Sequence, residues 1–127
     1  MTGREFENAC VKSLHKDGFW VHRIHPDESG QQPFDIIAIR GSEMCFFDAK
    51  VVTDKVSFPF SRIEDNQMNA FELVQKKTHA SKIGLLIYWD DGVHNDIRYM
   101  SLERIHTETW MGKKSIKLAS LSLWRES

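Results

Sequence analysis

Residues 34–52 read FDIIAIRGSEMCFFDAKVV, and the way this stretch pairs with itself decides the fold. Two apolar, strand-like runs, FDIIAI (34–39) and MCFFDAKVV (44–52), flank Arg40-Gly41-Ser42-Glu43. Gly-Ser is a two-residue hairpin signal of the II′ kind, with glycine at the turn position that needs a left-handed backbone. With Gly41 and Ser42 as the turn, Ile39 faces Met44 and Ile37 faces Phe46 on one side of the sheet. Ala38 meets Cys45 and Ile36 meets Phe47 on the other. Both faces are apolar except at one end, where the next pair in register is Asp35 opposite Asp48. Their Cβ atoms would stand about 5 Å apart, and like charges so placed destabilise a sheet. Lys50, two residues past Asp48, shares that face. A divalent cation would remove the conflict, because Mg²⁺ takes one or two carboxylates and completes its shell with water and phosphate oxygens. Lys50 could then help deprotonate a water and stabilise charge on an attacked phosphate. The same spacing also describes an Asp48–Lys50 ion pair at a fraying strand end, and spacing alone leaves both readings open.

Outward from the hairpin, the chain alternates helix and strand signals. Thr2-Gly3-Arg4-Glu5 is a capping box that opens a first helix, with Phe6, Ala9, Cys10, Ser13 and Leu14 at helical spacing and Asp17-Gly18 at its end. FWVHRIH (19–25) alternates as a strand, and PDESGQQP (26–33) has the composition of a loop. After Phe58-Pro59-Phe60, a second capping box at Ser61-Arg62-Ile63-Glu64 predicts a helix to about His79. Lys82 to Trp89 read as a strand in the sheet's interior, and Asp90-Asp91-Gly92 as a turn into a strand from Ile97 to Leu102. SIKLASLSLW (115–124) alternates like one more strand, with Ile116, Leu118 and Ser120 against Lys117, Ala119 and Leu121.

With 127 residues, 41% of them hydrophobic and 28% charged, the chain reads as one ordinary globular domain with a sizeable core. Cys10 and Cys45 lack CxxC spacing and read as reduced core residues, which points to a cytoplasmic address. No apolar run is long enough for a membrane span, and the start carries no signal-peptide pattern. A net charge of −1 argues against a basic nucleic-acid coat, yet Lys50, Lys55, Arg62, Lys76, Lys77 and Lys82 fall close together in the chain. They make either a basic face for DNA or a solvated helix with its loops. His22 and His25, three apart on a strand, point to opposite faces and form no zinc pair. Some aromatic residues could stack on bases, although most belong in the core.

Two polar residues sit where apolar ones are expected. Glu7 lies on the margin of the first helix's apolar stripe, near Leu14 and Cys10. Gln67 fills a slot in the stripe Ile63, Ala70, Phe71 and Val74, where a buried amide needs a partner. Each is either a satisfied boundary group or part of the acidic site.

In order and spacing, Glu7, Pro33-Phe34-Asp35, Asp48-Ala49-Lys50 and Gln67 resemble the PD-(D/E)xK nuclease superfamily. Within it the chain is most similar to Holliday-junction resolvases of the RecU type and their archaeal relatives. Gly3-Arg4-Glu5-Phe6-Glu7 resembles that family's Gly-x-x-Phe-Glu, and Phe58-Pro59-Phe60-Ser61 with Gln67 resembles its Phe-Pro-Leu-Ser run and downstream glutamine. The resemblance spans about residues 3–90. It implies a restriction-endonuclease-like α/β fold, a mixed sheet flanked by helices with an αβββαβ core. It implies also a homodimeric phosphodiesterase dependent on Mg²⁺ or Mn²⁺ that nicks branched DNA. Carried over, Asp35 and Asp48 are metal ligands with the Ala49 carbonyl, and Glu7 acts on the metal's shell through water. Lys50 serves the nucleophile, and Gln67 holds the catalytic group or the scissile strand. Lys55, Arg62, Lys76 and Lys77 are candidates for DNA contact. Asp48 stands where RecU proteins usually carry glutamate, the long stalk is cut to about His25–Gln32, and the basic N-terminal arm is missing. Two other functions therefore stand beside a junction resolvase: a single-strand or flap nuclease, and an idle nuclease-fold accessory factor that only binds DNA.

Overall fold

The structure is a computed structural model that describes residues 1–24 and 32–124. His25 and most of the expected 26–33 loop lie outside the described residues. The first helix, α1 (Gly3–Lys16), begins where the capping box predicts: the Thr2 side chain accepts from the Glu5 N–H, and the Glu5 carboxylate accepts from the Thr2 N–H, both at 3.1 Å. It buries Phe6, Cys10 and Leu14. Ala9, expected on that stripe, is exposed.

Strands β1 (Trp20–Arg23), β2 (Ile36–Arg40) and β3 (Glu43–Thr53) follow as an antiparallel meander. The β2–β3 register is the one the Gly-Ser turn requires, with Ile36 opposite Phe47, Ile37 opposite Phe46 and Ile39 opposite Met44. Gly41 supplies the left-handed turn residue at φ 58°. A short strand β4 (Ser57–Pro59) and a turn of 3₁₀ helix at Phe60–Arg62 lead to α2 (Asp65–Lys77), which carries the chain across to β5 (Lys82–Asp90), parallel to β3. A parallel neighbour demands such a crossover. Strand β6 (Asn95–Ser101) returns antiparallel to β5. Close packing there depends on Gly84, since a Cβ at that position would meet the Met100 carbonyl oxygen at 2.1 Å.

The remainder is α3 (Leu102–Trp110), β7 (Ser115–Lys117), a 3₁₀ turn at Leu118–Ser120 and β8 (Ser122–Leu123). The main sheet has the order β1-β2-β3-β5-β6-β8, and β4 and β7 form a separate two-stranded ribbon. One face of the sheet packs on α1 through Phe6, Leu14, Ile36, Phe47 and Leu86. The other packs on α2 and α3 through Phe46, Phe71, Leu85, Ile87, Trp89 and Ile105. Neighbouring Phe46 and Phe47 thus serve opposite cores, as strand alternation dictates. Cys10 and Cys45 are buried free thiols, and among the described residues no helix is long and apolar enough to cross a membrane.

Three expectations are corrected. The second helix starts at Asp65 with Glu64 as its N-cap, not at Ser61, because Ser61 belongs to the 3₁₀ turn and Ile63 is extended. It stops at Lys77, where Thr78 adopts an extended backbone and turns its hydroxyl to the Val74 carbonyl at 2.8 Å. Leu102 belongs to α3, which no apolar periodicity announces, since Glu108 occupies the third buried slot after Leu102 and Ile105. The 115–124 strand is broken by its 3₁₀ turn, which brings Leu121 to the buried side with Ile116 and Leu118.

Candidate active site

The hairpin loses regular pairing at the end where the acids stand. The Asp35 N–H bonds the Phe47 carbonyl at 3.0 Å rather than continuing the ladder. Its Oδ2 then accepts from the Ala49 N–H at 2.8 Å, so a carboxylate does the work of a missing strand residue. Asp35 and Asp48 are both buried, 7% and 2% exposed, and they converge on one cleft of about 290 Å³ with Lys50, Gln67 and Glu7. Burial pushes the Asp48 carboxyl up to about 7, with the neighbouring Asp35 charge as the next cause and Lys50 opposing both.

Lys50 is fixed between two partners. Its Nζ lies 3.1 Å from Asp48 Oδ2 and donates to Gln67 Oε1 at 3.3 Å. The same Gln67 oxygen accepts from the Glu64 N–H at 3.1 Å, so the start of α2 sets where the amide points. This answers the polar slot on an apolar stripe: Gln67 is 6% exposed and satisfied by a helix end and a lysine. The Asp48 oxygen is less well served. Oδ2 is buried next to Lys50 but accepts no well-directed hydrogen bond.

Glu7 reaches the cleft from α1 and is held there by a cation that no sequence pattern singles out. Arg23 meets its Oε1 through Nε at 3.0 Å and Nη2 at 2.8 Å, and also donates to Asn8 Oδ1 at 2.6 Å. Arg23 is opposite Ile36 in the β1–β2 register, next to Asp35, so only the pairing of those strands brings it to the site. Gln32 falls in a stretch of loop composition, yet its amide donates to Asp35 Oδ1, and Asn66 Nδ2 holds the Gln32 carbonyl at 3.1 Å. No local sequence signal marks either contact.

The donor set can be tested against a divalent cation. Among the described residues no three His, Cys, Asp or Glu side chains gather closely enough to form a ligand cluster. Asp35 and Asp48 supply two carboxylates, which suits Mg²⁺ with a largely aqueous shell and not a caged ion such as Ca²⁺. A third donor is at hand. The carbonyls of Phe47 and Val51 point to the β2 side of β3, where they accept from the Asp35 N–H and, at 2.9 Å, from Arg62 Nη1. By strand alternation the Ala49 carbonyl points the same way, toward Asp35. The buried Asp48 oxygen without a hydrogen bond, beside a second acid, is the kind of group a cation would satisfy.

The residues of the expected basic face are spread over β3 and its following loop, the 3₁₀ turn, α2 and β5. Arg62 lies over the Phe58 ring at 5.4 Å, and exposed Lys55 follows the end of β3. Lys76 and Lys77 stand at the far end of α2, about 15 Å along the axis from Gln67. Lys82 lies over Tyr99 at the start of β5. Asp90 and Asp91 do turn chemistry, accepting from the N–H groups of Gly92 and of Val93 and His94 respectively. His22 is exposed and stacks on Trp20.

No family model and no curated protein sequence matches the chain. Its structure is similar to that of Hjc, a Holliday junction resolvase from the archaeal hyperthermophile Archaeoglobus fulgidus, with a TM-score of 0.61 and 17% sequence identity, covering 80% of this chain and 78% of that one. The expected architecture is thereby borne out: this chain has a fold like that of the resolvase, a mixed sheet flanked by helices.

Proposed function

We propose that the chain is a metal-dependent endonuclease that hydrolyses phosphodiester bonds in branched DNA, with the four-way junction as its substrate and a homodimer as its working form. The observation that carries this reading is the convergence of Asp35, Asp48, Lys50 and Gln67 on one cleft, with Asp48 buried against a like charge. Asp35, Asp48 and the Ala49 carbonyl are the groups that would hold Mg²⁺ or Mn²⁺, which when bound supplies Lewis-acid activation of phosphate and water. The Lys50 ammonium, held by Asp48 and Gln67, is preorganised to stabilise charge that develops on a phosphate oxygen and to orient the attacking water. Glu7 contributes through water from the cleft wall, and its Arg23 partner fixes its carboxylate. Lys55 and Arg62 would contact the DNA near the cleft, and Lys76 and Lys77 farther along α2. Two such sites in a dimer would nick two strands symmetrically.

The test is cleavage of a synthetic four-way junction with Mg²⁺ or Mn²⁺, alongside duplex, flap and single-stranded controls. Nicking that falls by about 10²–10³-fold in Lys50→Ala supports the reading. An inert wild type, or an undiminished Asp48→Ala or Lys50→Ala protein, refutes it. One observation favours the idle accessory factor instead: Glu7 is bound to Arg23 rather than left available to the acids. That reading predicts DNA binding in EDTA and no turnover with either metal.

A further inference from the structure

A second cavity, of about 370 Å³, opens between α3 and the β4–β7 ribbon. Strand alternation explains its chemistry. Phe58 and Ile116 pair across the ribbon and are buried in the core, so Ser57 and Lys117, opposite one another, turn outward with Ser115. From the other side α3 presents Arg104 and Glu108 one turn apart. Glu108 is 7% exposed and works as a clamp: Oε1 accepts from Arg104 Nε and Oε2 meets Lys113 Nζ, both at 2.9 Å. Arg104 Nη2 also donates to Ser120 Oγ at 3.2 Å. The Lys113 ammonium, then the Arg104 guanidinium, hold the Glu108 carboxyl below its usual value, so it stays ionised at neutral pH.

The charges do not balance. Arg104, Lys113 and Lys117 carry three positive charges against the one negative charge of Glu108, an excess of two in a concave site lined also by serine hydroxyls. A buried acid that needs only neutralising takes one cation. Here it fixes two, and a third cation faces them across the cavity. The Arg104 guanidinium and Lys113 ammonium fixed by Glu108, with the Lys117 ammonium and the Ser57 and Ser115 hydroxyls beside them, make a receptor for a tetrahedral oxyanion, while Ser120 spends its own proton on the Lys117 carbonyl at 2.6 Å.

We propose that this cavity seats a backbone phosphate of a duplex DNA arm entering the catalytic cleft. The inference rests on the DNA reading of the cleft and adds a contact surface to it. Position supports it. Pro59 pairs with Ser115, and the Phe60 N–H bonds the Lys114 carbonyl at 3.0 Å, so the ribbon runs directly into the turn that ends at Glu64 on the cleft wall. The five residue-to-residue steps from Pro59 to Glu64 reach at most about 18 Å. That corresponds to about five base-pair steps at 3.4 Å each along one strand. The ribbon beside the seat and the rim of the cleft are therefore close enough for one duplex arm to span both.

The experiment is fluorescence anisotropy in EDTA with labelled four-way junction and duplex over a series of salt concentrations. Lys113→Ala/Lys117→Ala is expected to weaken binding about tenfold. Its plot of log K against log salt should be shallower by about 0.9, the contribution of the one phosphate left without its cations. Lys117→Ala alone spares the Glu108 clamp and should give about half the change in slope, which keeps the test valid if the double variant folds poorly. Lys113→Arg/Lys117→Arg should restore affinity. Lys12→Ala/Lys16→Ala, which removes equal charge from exposed α1, is the control. If the wild type binds and the cavity variants match that control, the phosphate seat is refuted and the nuclease reading survives. If the wild type binds no DNA, both fall.

Discussion

Asp48 and Glu108 are both buried beside a lysine, and their surroundings are neutralised in opposite senses. Asp48 has one cation, Lys50 at 3.1 Å, and a second acid, Asp35, nearby. Burial and then Asp35 drive its carboxyl up to about 7. Glu108 has two cations at 2.9 Å, Lys113 and Arg104, and they hold its carboxyl low. The first pocket lacks positive charge and the second has too much. A buried charge is costly unless matched, so a site that served stability alone would balance its charges. On this contrast the deficit at Asp48 marks where a cation is wanted, and the surplus at Glu108 where an anion is.

The contrast can be broken most severely at Asp48. Asp48→Asn keeps the shape and removes the surplus charge, so junction cleavage should fall about 10³-fold or more while the metal-free protein becomes more stable. The sign follows from the raised carboxyl: the stability tied to Asp48 is fully present below its unfolded value near 4 and is lost as pH climbs through about 7. Wild-type melting in EDTA should therefore decline between pH 5 and pH 8. The Asn variant should melt about 5 °C higher than wild type at pH 8 and much closer to it at pH 5. A variant that melts lower at pH 8 contradicts the charge deficit.

Supplying the missing charge should have the next largest effect. Mn²⁺ or Mg²⁺ at about a hundred times its Kd should stabilise the wild type at pH 8 by about 2.7 kcal/mol and flatten the decline with pH. Asp48→Asn should show neither response in the same melting series. Gln67→Ala removes the acceptor shared by Lys50 and the Glu64 N–H. A tenfold drop in cleavage is expected, with about 1 kcal/mol lost from the uncapped start of α2 by chemical denaturation. Glu108→Gln should act least on cleavage. It should lower the melting temperature at pH 7, a difference that disappears as pH falls through the carboxylate range, because a depressed carboxyl stabilises only while ionised. The Asp48 and Glu108 variants should thus have pH profiles of opposite slope.

Much of this is legible in the chain before it folds. The Gly41-Ser42 turn specifies the β2–β3 register pair by pair, and the Thr2-Glu5 box specifies the start of α1. The positions of Asp35, Asp48, Lys50, Glu7 and Gln67 follow from those elements together with the family resemblance, and all five line one cleft. The N-cap of α2 falls three residues later than the cap signal at Ser61 predicts, at Glu64, because Ser61 is taken into a 3₁₀ turn and Ile63 is extended and buried in the core. Helix α3 is hidden because Glu108 interrupts an apolar stripe that begins with Leu102 and Ile105. Its one local sign is Ser101, whose hydroxyl accepts from the Arg104 N–H at 3.0 Å.

Local residue order suffices for the hairpin, the start of α1 and the pairing of acids with a lysine, since turn chemistry, helix capping and strand alternation act between near neighbours. Which charges balance is settled only once the chain is packed. Arg23 reaches Glu7 across 16 residues, Gln32 is locked by Asn66 across 34, and Ser120 reaches Arg104 across 16. Whether a buried charge is satisfied depends on every group within a few ångströms in space, and that neighbourhood comes into being only when distant segments fold together.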